Sequence, residues 1–187
     1  SSTSRGLGDV YKRQVKHRHR AVVTVMIAAL YATGVRPGDK YMCPSSPAWG
    51  HGLWHGTLAP LALGIEISTY AGKFDPEKLL AAMEKFKITN LSAAATHYRL
   101  MRNISHPKKH SLRLKKLSFT GEPLDTETAH WARQTFGHDV CSIYGSREVG
   151  VLIAKYPGAD DLPVKVGSLG KPLPGCGVSI HNAQGKA

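Results

Sequence analysis

Short apolar runs alternate with longer segments of helical spacing along most of this chain. That alternation restricts the fold more than any other feature. Residues 40–44, 64–70, 88–94, 117–120 and 139–144 read as strands, with Ile65, Ile67 and Thr69 alternating in the second. Between them, residues 19–34 read as a buried helix ended by Gly34 and the turn Arg36-Pro37-Gly38-Asp39. Residues 49–63 read as an aromatic and apolar helix, kinked or broken near Pro60. Asp75 should cap a helix with Pro76 at its first position, running to about Lys87 on Leu79, Leu80, Met83 and Phe86. A short helix is expected over 96–103, and Asp125 should cap another that ends near Gly137. Residues 151–154 extend the sheet, 157–177 read as loop, and 178–181 as a last strand. Strands separated by helices of this length predict an α/β fold, a mainly parallel sheet flanked by helices. In such sheets ligands bind at the carboxyl ends of the strands.

Composition narrows the class. The 187 residues suit one domain or a large part of one, and a hydrophobic share of 42% is too high for a disordered chain. No apolar run reaches the ~18 residues of a membrane span. The longest, residues 21–35, is flanked by His17, Arg18, His19, Arg20 and Arg36 and lacks a signal cleavage site. A cytoplasmic protein is the expectation. Cys43, Cys141 and Cys176 form neither a disulfide framework nor a zinc pattern and read as reduced and mostly buried. The net charge of +12 concentrates in two places, residues 1–20 and the run Lys108, Lys109, Arg113, Lys115, Lys116. Such patches suit a phosphorylated ligand, a nucleic acid, or no ligand at all. The absence of a nucleic-acid module and of aromatics beside the patches makes nucleic acid unexpected.

Residues 1–14 do not join smoothly to the residues after them. The run from Gly6 to Gln14 resembles a translated sequencing-adapter artefact, so residues 1–14 are expected to be a non-native leader and natural sequence to begin near Val15. Residues 181–187 stop in a turn after a strand, as expected of a chain cut mid-domain.

Three segments carry polar chemistry. Tyr144-Gly145-Ser146-Arg147-Glu148 leaves a strand with an aromatic ring, a glycine, a hydroxyl, a cation and a carboxylate. The ring can stack on a purine, Gly145 permits close backbone approach, and Glu148 is a hard ligand suited to magnesium. A glycine turn followed by a helix with an acidic first turn explains the same residues without a ligand. Gly121-Glu122-Pro123 is a strand-end turn. Trp49-Gly50-His51-Gly52-Leu53-Trp54-His55 sets two histidines four apart but lacks the glutamate of a zinc protease, which favours structural histidines in an apolar slot. His17-Arg18-His19-Arg20 reads first as a solvated helix start and second as a phosphate contact.

Taken in order, Val15 to Ala21, Pro44 to Gly56, Phe119 to Leu124, Ile143 to Glu148 and Gly167 to Pro172 resemble the adenylate-forming acyl-CoA synthetases, most closely the medium-chain branch. The resemblance covers residues 15–187 and implies an incomplete AMP-binding (adenylation) domain. It implies that Gly121, Glu122 and Pro123 lie along the adenine and that Tyr144 stacks on it. By the same resemblance, Gly145 and Ser146 bind nucleotide, Glu148 holds Mg2+, and Trp49, His51 and Gly52 line the acyl pocket. The family usually has threonine where this chain has Arg147, which grips phosphate with more charge and reach or else crowds the site. The implied substrates and cofactors are a carboxylic acid, ATP (leaving as AMP), Mg2+ and CoA. The family's phosphate loop before Val15 and its C-terminal domain with a catalytic lysine have no counterpart in these residues, so the fragment alone is expected to be inactive. An aryl-acid ligase or a peptide-synthetase adenylation module would share the same motifs, and a basic nucleic-acid-binding domain is the reading from another class.

Overall fold

The computed structural model describes residues 15–104, 107–159, 161–165 and 167–187. The leader expected over residues 1–14 lies outside them, as do Ser105 and His106 just ahead of the basic run. Seven strands form one sheet in the order β2-β1-β3-β4-β5-β6-β7. They are β1 (Lys40–Cys43), β2 (Glu66–Thr69), β3 (Asn90–Ala94), β4 (Lys116–Thr120), β5 (Val140–Ser146), β6 (Gly150–Ala154) and β7 (Lys171–Pro172). The first five pair in parallel, and β6 and β7 add antiparallel at the far edge.

The helices are α1 (Ala21–Ala28), α2 (Ala59–Ala62), α3 (Pro76–Lys85), α4 (Ala95–Arg102) and α5 (Thr126–Phe136). Residues Leu79, Leu80 and Met83 of α3, Tyr98 and Met101 of α4, and Ala132 and Phe136 of α5 cover one face of the sheet, over Met42, Leu91, Leu117 and Val140. The other face holds Ala29, Tyr41, Cys43, Ala59 and Ile65 in one cluster and Ala28, Ala32, Ile143, Ala154 and Leu173 in another. Tyr41 and Cys43 thus face one way and Met42 the other, as the two-residue strand period requires. The chain steps outward from β1 to β2 and then crosses back to β3, so the strand order reverses between β1 and β3. A crevice opens at such a switch point, outside the carboxyl ends of the strands.

Local chemistry explains the helix ends. Asp75 caps α3 by accepting from the Lys78 N–H at 3.2 Å, with Pro76 first in the helix. Asp125 caps α5 through the Thr128 N–H at 2.8 Å, and Gly137 closes it in the left-handed conformation. Among the described residues no helix is long and apolar enough to cross a membrane.

Besides a π-helical turn, Ala29–Thr33, at the end of the first helix and β7 inside the expected loop 157–177, three sequence expectations need correction. The helix over 49–63 is neither broken nor ordinary. It begins as a π-helix, His51–Leu58, and becomes α-helical at Ala59–Ala62. Pro60 sits in the first turn of the α segment, where its missing N–H costs little. β5 does not end at Tyr144 but continues through Ser146 and doubles back into β6, so no helix follows the motif. Residues 178–181 form no strand.

Candidate functional site

A cleft of about 930 Å3 lies at the carboxyl ends of the parallel strands. Its floor comes from the carboxyl ends of the strands: Pro44 and Ser45 after β1, Ala94 closing β3, Thr120 closing β4 and Gly121 after it, and Ile143 and Gly145 on β5. Residues 146–149 form one wall, and Trp49, His51, Trp54 and His55 the other. Lys16, His17, Arg18 and Arg20 line the mouth ahead of α1. They are solvent-exposed, as a helix start would be, and they also face the cleft.

The cleft therefore gathers Trp49, His51, Gly121, Gly145, Ser146, Arg147 and Glu148 of the sequence-predicted set. Arg147 connects two motifs directly. A methyl group on Gly50 would lie 3.9 Å from its Cγ, so the arginine stem runs over the Trp49-to-His51 segment. Glu148 is exposed, and the Ser146 hydroxyl, then its own backbone N–H, with a smaller contribution from the Arg147 cation, holds its carboxyl below the usual range. It is ionised at neutral pH. Among the described residues no group of three or more His, Cys, Asp or Glu side chains forms a metal cluster.

Gly52, Glu122, Pro123 and Tyr144 lie outside the cleft lining. Gly52 is buried where the π-helix meets the preceding loop, and a Cβ there would lie 2.2 Å from the Ser46 carbonyl oxygen. Its role is close approach of two backbones. Glu122 turns to α4: its Oε1 accepts from Thr96 Oγ1 at 2.7 Å and lies 2.5 Å from Arg99 Nη2. Those two partners, the hydroxyl first, lower its pKa. Tyr144 is 49% exposed. The β4–β5 register ends at Phe119 with Ser142, and Thr120 Oγ1 then donates to the Ile143 carbonyl at 3.0 Å, so the turn at Gly121 and Tyr144 each follow that contact by one residue. An exposed ring and a glycine turn with φ of 98° thus share the rim.

Gly145 has no room for a side chain. A Cβ would sit 2.0 Å from the Gly150 carbonyl oxygen, in the β5–β6 hairpin whose register shifts at Tyr144–Gly145. The hairpin can therefore close tightly only on glycine.

Sequence reasoning missed the support beneath His51. Its Nδ1 is 2.9 Å from Ser45 Oγ and its Nε2 is 2.9 Å from Ser92 Oγ, which accepts from Ser118 Oγ at 2.8 Å. This hydroxyl–imidazole chain runs from the cleft across β3 to β4. Burial, with the nearby His55 and His97, pushes the His51 pKa down to about 3, and burial pushes His55 to about 4, so both rings are neutral. His97 also lines the cleft, stacked on Phe74 with 4.3 Å between centroids, and its Nδ1 accepts from the Ala94 N–H at 3.3 Å. The available signal was polar residues at alternate positions, Asn90 and Ser92, inside an otherwise apolar strand.

A mainly parallel sheet with a cleft at its switch point, walled by a glycine hairpin with adjoining hydroxyl, cation and carboxylate, defines an α/β protein with its candidate site at the carboxyl ends of the strands. The model of one family, the AMP-binding enzymes, matches residues 14–187, and the chain belongs to that family. An uncharacterized acyl-CoA ligase of Bacillus subtilis is 34% identical over 149 residues, 79% of this chain and 28% of that protein. Acetyl-coenzyme A synthetase of the same organism is 29% identical over 175 residues, 91% of this chain and 30% of that protein. The crystal structure of an acyl-CoA synthetase of Brucella canis superposes with a TM-score of 0.82 at 29% identity, over 89% of this chain and 31% of that one. The chain thus spans about 30% of the length of these relatives.

Proposed function

We propose that this chain is the nucleotide- and acyl-binding part of an ATP-dependent acid–CoA ligase. The observation that carries the reading is the convergence of Gly121, residues 145–148 and the Trp49-to-His51 segment on one cleft. In the reaction a carboxylate oxygen of the acid attacks the α-phosphorus of ATP. The bond to the β-phosphate breaks and pyrophosphate leaves. The thiol sulfur of CoA, losing its proton, then attacks the acyl carbon of the mixed anhydride, and AMP leaves. The first step is needed because a free carboxylate is too poor an electrophile for a thiol.

The residues divide the work. The rim formed by Tyr144 and the Gly121-Glu122-Pro123 turn takes the adenine, the ring by stacking. Gly145 and Ser146 bring backbone and hydroxyl close to the nucleotide. Arg147 grips phosphate, a role its charged, forked donors suit. Glu148 would hold magnesium. A single ionised carboxylate with no metal cluster around it fits an ion that takes one or two carboxylates and completes its shell with phosphate and water. When bound, that ion offsets the triphosphate charge. Trp49 and His51 shape the acyl end, with Gly52 letting the helix start lie against the loop after β1.

Isothermal titration of the chain with a non-reactive acyl-sulfamate analogue of an acyl adenylate tests the reading. Saturable binding that weakens on E148Q or Y144A is expected. No binding to a folded chain would overturn it. Hydroxamate trapping with ATP, a carboxylic acid and hydroxylamine should give no product with this chain alone, which spans only part of its relatives.

A further inference from the structure

The basic run at residues 108–116 is not used by the nucleotide cleft, and the fold splits it. Lys109 Nζ is 2.8 Å from Glu77, and His110 lies between Glu77 and Glu84. Lys116 is 2.8 Å from Asp39. Arg113 and Lys115 form no ion pair among the described residues. They line a second cleft of about 470 Å3 together with Lys40, Lys87 and Thr89.

Lys40 opens β1, Thr89 immediately precedes β3 and Lys115 immediately precedes β4, and these strands are neighbours. The cations therefore line the amino edge of three adjacent strands, about 10 Å across. The nucleotide cleft lies at the other end of the same strands, roughly 16 Å away along the length of β3. The floor has no free backbone donor at Thr89. Its N–H donates to Lys40 O at 2.9 Å, and its carbonyl accepts from Lys115 N at 2.8 Å and Lys116 N at 3.2 Å. Its hydroxyl accepts from Lys40 N at 3.0 Å. Glu66, 3.6 Å from Lys40, offsets one charge, and Asp39 is held by Lys116. Lys87, Arg113 and Lys115 remain uncompensated.

Lys87 is the one non-glycine residue with positive φ among the described residues, at 53°. It follows the last residue of the α3 terminus, a position that favours glycine. Left-handed residues of this kind persist where the surrounding structure fixes them, and they cluster at ligand sites. Here the strain holds an ammonium group at the cleft.

We propose that this second cleft binds a di- or triphosphate group, whether free or carried by a nucleotide. Three uncompensated cations lining one cleft of about 470 Å3 match such a group. Duplex nucleic acid, with a charge every ~1.7 Å, asks for a longer track.

Titration calorimetry of inorganic tripolyphosphate into the chain tests this. K87G should bind about tenfold more weakly, the loss expected for one charge-assisted contact. Its melting temperature should be equal or higher, because glycine relieves the left-handed strain. R113Q/K115Q should lose about a further tenfold by the same reasoning. R147T, in the other cleft, should retain the K87-dependent site. Circular dichroism checks each fold; if R113Q/K115Q does not fold, K87G alone decides. Binding by K87G equal to the parent chain, or lost only in R147T, would overturn the proposal. So would tight binding of a duplex oligonucleotide that tripolyphosphate cannot displace. ADP competition at the K87-dependent site would identify a nucleotide-borne diphosphate. Its failure, with tripolyphosphate still bound, would identify a free polyphosphate, and either result supports the site.

Discussion

Arg99 on α4 and Glu122 in the turn after β4 are joined at 2.5 Å, and the same guanidinium donates to the Pro123 carbonyl at 3.3 Å. The turn proposed to carry adenine is thus held from α4. Both side chains are partly exposed, so the pair adds at most about 1 kcal/mol to global stability. R99A should therefore shift the urea midpoint only slightly and weaken binding of the acyl-sulfamate analogue several-fold. R99K, which keeps the charge but loses the fork, should recover part of it. Unchanged affinity in R99A would mean that the turn needs no such support.

The two glycines at the site should differ in their tolerance. In G145A the new methyl meets the Gly150 carbonyl at 2.0 Å, so the hairpin must open. A cost of about 3 kcal/mol is expected, at the upper end for overpacking. Nothing lies within 4 Å of a Cβ on Gly121, whose constraint is its φ of 98° alone. G121A should cost about 1–2 kcal/mol of backbone strain. Urea denaturation of the two variants gives the order, and equal costs would contradict it.

Acid should weaken the fold well before its carboxylates titrate. His51 and His55 are held at about 3 and about 4 by burial, whereas unfolded histidine titrates near ~6.5. Between these values the unfolded chain binds protons that the folded chain does not. Stability is therefore fully kept above pH ~6.5 and falls as pH drops toward about 4, by up to ~1.4 kcal/mol per unit for each ring. His97, also lowered by burial, acts in the same direction. Urea midpoints should decline from pH 7.5 to 5.0, and H55Q should flatten the decline. A flat profile in the parent chain would count against buried neutral rings.

Arg147 tests the phosphate contact in a full-length ligase carrying this segment. R147T should lower ATP–pyrophosphate exchange if arginine grips phosphate as proposed. A rise would show instead that arginine crowds the cleft.

Most of the architecture was legible because it rests on local signals. Asp75 with Pro76 and Asp125 with Gly137 mark helix ends through capping bonds between residues only a few apart in sequence. The π-helix was not legible, since apolar spacing does not separate a wide turn from an α-turn. It occurs where Gly52 and Gly56 touch backbone and side chains of the β1 segment; a Cβ on Gly56 would meet Cys43 Sγ at 2.9 Å. Residues 178–181 alternate like a strand but have no described neighbour to pair with, and Ile180 stays 91% exposed. At the site, the motif residues were visible as a polar cluster after a strand. Ser92 and Ser118 were not, because small hydroxyls in buried strands look like filler until His51 is placed over them.

The β5–β6 hairpin has a consequence for the order of assembly. The first five strands are parallel, and each pairing must wait for a long crossover to close. Tyr144, Gly145 and Ser146 instead pair with Ile153, Val151 and Gly150 in the same short segment. Hairpins close in about 1–10 μs, whereas non-local pairings bear a larger loop-closure entropy and form later. The strand pair that carries Tyr144 to Ser146 is thus available to form at the start of folding, ahead of the parallel pairings around the cleft.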